Sequence, residues 1–378
     1  MSESVNTIVR DKFFSLFKSL EINITASGRA NIIGEHTDYY GGYVLPFAID
    51  KGIHFCASKS QNKDQIFSVD FQEMYQLEDK ISTGSWKSYV ASCIKEMKSE
   101  YEVGNIHLVF GGNIPIGAGL SSSSSLVCGI IEVYNHLFQL NISDIDKVNL
   151  ASKVEHGAGV QGGKMDQYAI FFGKYKNALL LDCQSLINEP IPFDSSCSFL
   201  LINSMVKHNL VHTEYNTRRK EGETALKKIN AIFPAAKTAR DIDLSILEEC
   251  KSHLNEIEYC RIMHVIFENE RVLQFCKYIR EDDLISCGKL LNLSHESLQK
   301  LYEVSCEELD TLQQLASETS CIYGSRMMGG GFGGCTINLF ESLNEDELEY
   351  ILQNFNDKFK YRPEHYIVRP HSGITIHE

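Results

Sequence analysis

No run of 18 or more apolar residues occurs in this 378-residue chain, so no segment of it reads as a membrane-spanning helix. The amino-terminal segment lacks the apolar stretch of a secretory leader and carries Glu3, Arg10, Asp11 and Lys12 in its place, which predicts a cytoplasmic location. Cysteine is plentiful but without pattern. Of the 12, the closest two, Cys250 and Cys260, stand ten positions apart, and no Cys-x-x-Cys exists. Buried, reduced thiols are therefore expected in place of a disulfide framework or a zinc knuckle. Positive charge is short as well: 36 Lys and Arg face 50 Asp and Glu, and a net charge of −14 excludes nucleic acid and anionic membrane as partners. Gly-Lys-Ser/Thr is missing, which rules out a Walker phosphate loop, and so is His-Glu-x-x-His. His208 and His212 stand four apart, but without that glutamate or a third ligand they do not make a zinc site.

What is present is a globular composition. The length predicts about two domains, and 43% hydrophobic residues suffice for sizeable cores. Near-helical spacing of Val5, Ile8, Val9, Phe13, Leu16, Phe17 and Leu20 predicts an amphipathic helix over 3–20. Strand-like runs follow at 22–26 and 44–49, and the polar stretch between them, 27–42, is expected to form a loop at a sheet edge. That stretch crowds Glu35, His36, Thr37 and Asp38 together, near Arg29 and glycines that let backbone approach a ligand closely. Acids and an imidazole in such a cluster suit a small polyhydroxylated molecule. Further strands are expected at 54–57 and 66–69. Helical periodicity over 86–97 opens on Trp86, the single tryptophan, with Tyr89 one turn on; the pair is either a core aromatic contact or the wall of a base pocket.

An acidic chain can hold a polyphosphate only by local means. A strand at 106–110 runs through Gly111, Gly112, Asn113, Ile114, Pro115, Ile116, Gly117, Ala118, Gly119 and Leu120 into the serines 121–125, after which Leu126, Val127, Ile130, Ile131, Val133, Tyr134, Leu137 and Phe138 recur at helical spacing. Strand, glycine turn and helix start form an architecture that binds phosphate. The first-turn N–H groups have no intrahelical partner, and the macrodipole adds about half a positive charge. Gly117, Ala118, Gly119, Leu120, Ser121, Ser122 and Ser123 are the candidate phosphate ligands, and serine hydroxyls can cap the turn or reach a magnesium ion.

Two more glycine-rich stretches follow. Glu155 to Gln167 bends through Gly157, Gly159, Gly162 and Gly163 to deliver Asp166. Gly324 to Cys335 packs five glycines into 329–334, more than a hairpin turn needs, and a strand at 336–340 comes next. Strands are expected at 178–181 and 199–202 around a loop at 190–192, which marks the boundary between domains 1–196 and 197–378. Helices are expected at 221–232, 244–254, 256–278 and 294–315. The strand-like tail, 366–376, is free to return to the first sheet.

Three of these stretches carry a family resemblance. Gly28-Arg29-x-Asn31-x-Ile33-Gly34-Glu35-His36-x-Asp38-Tyr39 resembles the galactokinase signature of the small-metabolite kinases named for galactose, homoserine, mevalonate and phosphomevalonate. Pro115 to Ser123 resembles the second motif of that superfamily and 324–335 its third. The chain departs from the pattern at Ser27, where the family usually shows proline, and the spacing from Glu155 to Asp166 is one residue short. The resemblance implies an α+β architecture with a ribosomal protein S5 domain 2-like N-terminal domain, a ferredoxin-like C-terminal domain, and the active site in the cleft between them. It implies a monomer that uses MgATP to phosphorylate D-galactose at C1. In that reading Asp166 is the catalytic aspartate and Arg29 the stabiliser, Ser123 and Glu155 hold magnesium, and Glu35, His36, Thr37, Asp38, Gly163 and Tyr215 hold the sugar. The aspartate either takes the hydroxyl proton or only orients the hydroxyl. A sister kinase for N-acetylgalactosamine or arabinose would share every motif, and an inactive sugar sensor is the alternative from another class.

Overall fold

The computed structural model describes residues 4–77, 85–115, 117–158, 163–193, 197–206 and 211–377, except the side chains of 211–213. In chain order the elements are α1 (Val5–Leu16), β1 (Ile22–Asn31), β2 (Tyr43–Val44), β3 (Pro46–Ser60), β4 (Gln65–Ser68), β5 (Glu73–Tyr75), α2 (Trp86–Glu100), β6 (Asn105–Gly112), α3 (Ser122–Leu137), α4 (Asp144–Gly157), α5 (Met165–Phe172), β7 (Asn177–Asp182), β8 (Asn188–Pro192) and β9 (Ser198–Asn203). There follow α6 (Val211–Ile232), α7 (Leu244–Glu249), α8 (Glu256–Arg280), α9 (Leu284–Ser297), α10 (Glu307–Ser317), β10 (Ile322–Met327), β11 (Cys335–Phe340), α11 (Glu345–Phe359), β12 (Glu364–Val368) and β13 (Ile374–His377).

Helices and mixed sheets make a two-domain α+β fold. The first sheet runs β13-β1-β3-β6-β4-β5 and the second β10-β11-β9-β12, with a small third sheet β2-β7-β8. α3 is buried on most of its sides and lies between β1 and β3 on one side and α2 and α4 on the other. Its Val127, Ile130, Ile131 and Val133 are fully buried, each contributing about 1.5–3 kcal/mol relative to exposure. α1 covers the opposite face of the sheet through Val9 and Phe13. No helix among the described residues is long and apolar enough to cross a membrane. All twelve cysteines are free thiols, eight of them buried.

Several elements differ from the sequence reading, each for a physical reason. β1 continues to Asn31, so the first third of the presumed loop is strand; it is buried along both faces, and alternation disappears where both faces are covered. A bulge interrupts its pairing with β3 between Ser27 and Arg29. There Gly28 admits the Leu120 carbonyl, which would stand 2.8 Å from any Cβ. α4 escaped notice because its buried residues include Lys147, Ser152 and Glu155, which blur the apolar stripe. The helix expected over 294–315 breaks instead. α9 ends at Ser297, a π-helical turn spans Leu298–Tyr302, and Glu303 turns left-handed at φ 55° before α10. The helix expected at 244–254 closes after Glu249 into a 3-10 turn, Lys251–His253. The tail divides between sheets: β12 pairs with β9, and β13 with β1. Residues 194–196, at the expected domain boundary, and His208 lie outside the described residues, as does the His212 side chain.

Candidate active site

The strand–turn–helix passage from β6 to α3 makes a cleft of about 290 Å³, lined by Arg29, Pro115, Gly117, Gly119, Leu120, Ser121, Ser122 and Ser123. Gly117 and Gly119 adopt φ of 78° and 71°, which leaves their backbone bare toward the opening. Ser121 precedes the helix in a left-handed conformation and no side chain caps α3. The serines that could have done so are engaged elsewhere. Ser121 donates its hydroxyl to Asp166, Ser124 to Glu155 at 2.7 Å, and Ser125 to the Ser27 carbonyl at 2.8 Å. The first-turn N–H groups of α3 thus keep their donors for an external anion.

Arg29 reaches the same cleft from β1. Its Nε and Nη2 form a two-pronged pair with Asp166, at 2.7 and 2.9 Å, while Nη1 donates to the Gly119 carbonyl at 2.6 Å. Asp166 stands in the first turn of α5, so strand, phosphate loop and helix converge on one carboxylate. Residues 159–162 of the bend before it lie outside the described residues.

Glu155 ends α4 beside this group and is only 7% exposed. It accepts from Ser124 on one oxygen and from Gln167 on the other. Burial raises its pKa to about 7, helped by the charge of Asp166 and opposed by the Ser124 bond, Arg29 and Gln167. Ser123, its expected companion, is half-buried at the helix tip and faces Tyr89. Magnesium takes one or two carboxylates together with phosphate oxygens and water. A buried carboxyl with a spare lone pair on each oxygen, next to a first-turn hydroxyl, fits that donor set. Among the described residues no three His, Cys, Asp or Glu side chains gather into a ready metal cage. Trp86 is half-buried at the start of α2 and packs among Phe71, Tyr75 and Phe110.

The turn after β1 supplies a second cluster. Glu35 is buried and accepts the Gly329 N–H at 2.8 Å and Arg326 Nη2 at 3.2 Å, which fastens the third glycine stretch to the first. Asp38 is half-buried, and desolvation raises its pKa to about 6, with Glu35 and Asp166 adding to the rise. Gly163 abuts its carboxylate, since a Cβ there would stand 1.9 Å from Oδ2. His36 holds a φ of 60°, is 4% exposed, and places its ring 5.5 Å from that of Tyr215. Thr37 is fully buried. Its hydroxyl faces two backbone carbonyls, Gly34 at 2.9 Å and Tyr43 at 2.7 Å, so that side chain shapes the loop and is not presented to a ligand.

Sequence reasoning missed several supporting groups. Arg326 is fully buried and spans from the Ile32 carbonyl, at 2.6 Å, to Glu35. Gln167 and Ser124 stood inside quoted motifs but received no role. Glu268, on α8, accepts the Gly34 N–H at 2.9 Å from 234 positions away, and no local signal announces it.

Residues 11–59 match the family model described as galactokinase galactose-binding signature, 88–174 the GHMP kinases N terminal domain, and 276–359 the GHMP kinases C terminal. The chain is 37% identical to a galactokinase of Thermosipho africanus over 94% of its own length and 99% of that relative's. It is 36% identical to a galactokinase of Pyrococcus furiosus with the same coverage. The crystal structure of Lactococcus lactis galactokinase complexed with galactose is similar at a TM-score of 0.92 and 32% identity, covering 98% of this chain and 100% of that one.

Proposed function

We propose that this chain, which belongs to the galactokinase family, transfers the γ-phosphoryl group of ATP to the anomeric hydroxyl of α-D-galactose, giving galactose 1-phosphate and ADP. The observation that carries the proposal is the Arg29–Asp166 pair beside an uncapped helix start. A carboxylate held by a guanidinium can take the C1 hydroxyl proton as that oxygen attacks phosphorus, and the guanidinium can meet charge building on the transferred group. The first turn of α3, with Gly117, Ala118, Gly119, Leu120, Ser121, Ser122 and Ser123, cradles the phosphates. Ser123 and Glu155 are the protein's ligands for magnesium, which when bound neutralises charge on the phosphate oxygens. Glu35, His36, Asp38, Gly163 and Tyr215 hold the sugar. The reading carries with it a monomeric enzyme that works in the cytoplasm.

A coupled assay of ADP release over galactose, N-acetylgalactosamine, arabinose and glucose tests the reading. Turnover is expected with galactose above the others; none with galactose would end it. Asp38 decides between epimers, because a wrong sugar leaves its carboxylate desolvated and unpaired. Asp38→Ala is expected to raise the galactose KM at least about tenfold while ATP binding stays normal. An unchanged KM removes Asp38 from the pocket.

A further inference from the structure

A line of hydroxyls runs from His36 into the protein interior, and one direction of donation alone satisfies all of it. His36 Nδ1 lies 2.6 Å from the Tyr39 hydroxyl, which lies 2.9 Å from that of Tyr302. The Tyr302 hydroxyl is 3.1 Å from that of Tyr40, and Tyr40 ends the line 2.8 Å from the backbone carbonyl of Arg219. A carbonyl has no hydrogen to give, so Tyr40 donates to it, and each phenol has a single hydrogen. Tyr302 must then donate to Tyr40, Tyr39 to Tyr302, and His36 Nδ1–H to Tyr39. With its ring proton on Nδ1, His36 presents Nε2 as a bare acceptor.

That acceptor is buried and has no hydrogen-bond partner among the described residues. Burying an acceptor without a donor is unfavourable, so the position reads as one kept for a donor that arrives with a ligand. Burial, followed by the charges of His264 and Arg326, lowers the His36 pKa to about 3, so the ring is neutral and holds one proton. Burial likewise raises Tyr39, Tyr40 and Tyr302, which keeps the line made of phenols. One ring neighbour of His36 is Tyr302, stacked at 4.7 Å, so the tyrosine that sets the proton also sets the plane of the ring. The competing acceptor is the Gly330 carbonyl, which bears on the imidazole without hydrogen-bond geometry to Nε2. Donation to it would need the opposite tautomer. Tyr39 would then give its hydrogen to Nδ1, and the one Tyr302 hydrogen could not serve both Tyr39 and Tyr40.

We propose that the Tyr40, Tyr302 and Tyr39 hydroxyls lock His36 in its Nδ1–H tautomer, so that Nε2 reads a sugar hydroxyl as a donor and refuses an acceptor. The nature of the ligand rests on the galactokinase reading above; the tautomer does not. Tyr302 and Tyr40 are positioning residues, acting on the sugar through His36.

Long-range proton–nitrogen spectra of the full-length protein labelled at histidine nitrogens test this without ligand, the His36 peaks being assigned by their loss in His36→Gln. Protonated Nδ1 and bare Nε2 are expected, with the Nε2 resonance moving on addition of galactose. Tyr302→Phe frees the Tyr39 hydrogen for Nδ1, so the Nε2–H tautomer is expected to appear. The galactose KM should rise about tenfold, with kcat and the ATP KM near wild type. Tyr40→Phe, which also breaks the one-way order, serves if the first variant does not fold. An Nε2–H tautomer in the wild type, a tautomer unmoved in both variants, or, in a protein that turns over galactose, an Nε2 resonance indifferent to that sugar overturns the proposal. A locked Nδ1–H tautomer in a protein that turns over no galactose would instead defeat the galactokinase reading and leave the lock standing.

Discussion

Glu155 sits against Ser124 and Gln167, its carboxyl raised to about pH 7 chiefly by burial. An unfolded chain releases that proton near the ordinary value of 4.5, so the folded state binds the proton more tightly across the interval between them. Folding stability therefore falls as pH rises from 4.5 to about 7 on account of this one group. Glu155→Gln abolishes the titration. The new N–H has an acceptor at hand, because Gln167 Oε1 is buried without a partner and an amide flip would offer it. The variant is expected to melt at a higher temperature than wild type at about pH 8, with a flatter stability profile below neutrality. Its turnover should drop for want of the carboxylate. Calorimetry across pH checks this, and a melting point below wild type at the alkaline end would contradict the role of burial. At this scale the motifs pointed to Arg29, Glu155 and Asp166, which the structure brings together beside the first turn of α3. The sequence was illegible for Ser124 against Ser123, since adjacent positions on a helix face different directions and only packing says which one meets Glu155.

α8 presents one face to the loop after β1. Glu268 accepts the Gly34 N–H and, at 2.6 Å, the Ser294 hydroxyl, while Arg271 pairs with its other oxygen at 2.7 Å. Burial works against that charge, but Arg271, His264, the Ser294 hydroxyl and Arg326 pull its pKa down to about 2. His264 Nε2 donates to the Glu35 carbonyl at 3.1 Å, and Asn269 Oδ1 accepts the Tyr43 N–H at 2.8 Å. A helix late in the chain thus templates the early turn that carries Glu35, His36 and Asp38. Glu268→Gln swaps an acceptor for a donor facing donors, a cost of about 1–3 kcal/mol. The expected result is a melting point several degrees lower and a raised galactose KM, with the ATP KM unchanged. A normal galactose KM would show that the turn holds its shape unaided. The helix itself was readable from its spacing. Its buried acids were not, because charged residues on a helix ordinarily mark the solvent face, and burial of one of them depends on partners brought by other elements.

The chain closes on itself through Ser27. Its N–H donates to the Gly373 carbonyl and its hydroxyl to the Ser372 carbonyl, both at 2.8 Å, just before β13 adds to the edge of β1. Thr25 extends the junction, its hydroxyl 2.7 Å from both His54 and His377. The departure from the family's usual proline now has a physical use, since proline has no N–H to give. Ser27→Pro removes both ties, whereas Ser27→Ala removes one. Thermal melts should rank wild type above Ser27→Ala and Ser27→Pro lowest, each lost bond being worth about 0.5–1.5 kcal/mol. Equal melting points for the two variants would mean that the backbone tie carries no weight.

By itself the sequence determined the helices and strands with a plain period, the three glycine-bearing loops, the acidic balance that forces phosphate binding onto backbone donors, and the residue types for phosphoryl transfer. All of these follow from chemistry local to a few neighbouring positions. The tertiary structure alone decided that β1 runs on into the site, that β13 returns to its edge, that Thr37 is spent on backbone carbonyls, and that Glu268, Arg326 and the hydroxyl line behind His36 hold the loop after β1 in shape. Those pairings join positions as far apart as Thr25 and His377. A contact across such a separation leaves no periodic trace in the chain, because its free energy comes from desolvation and partners that exist only once the elements have packed.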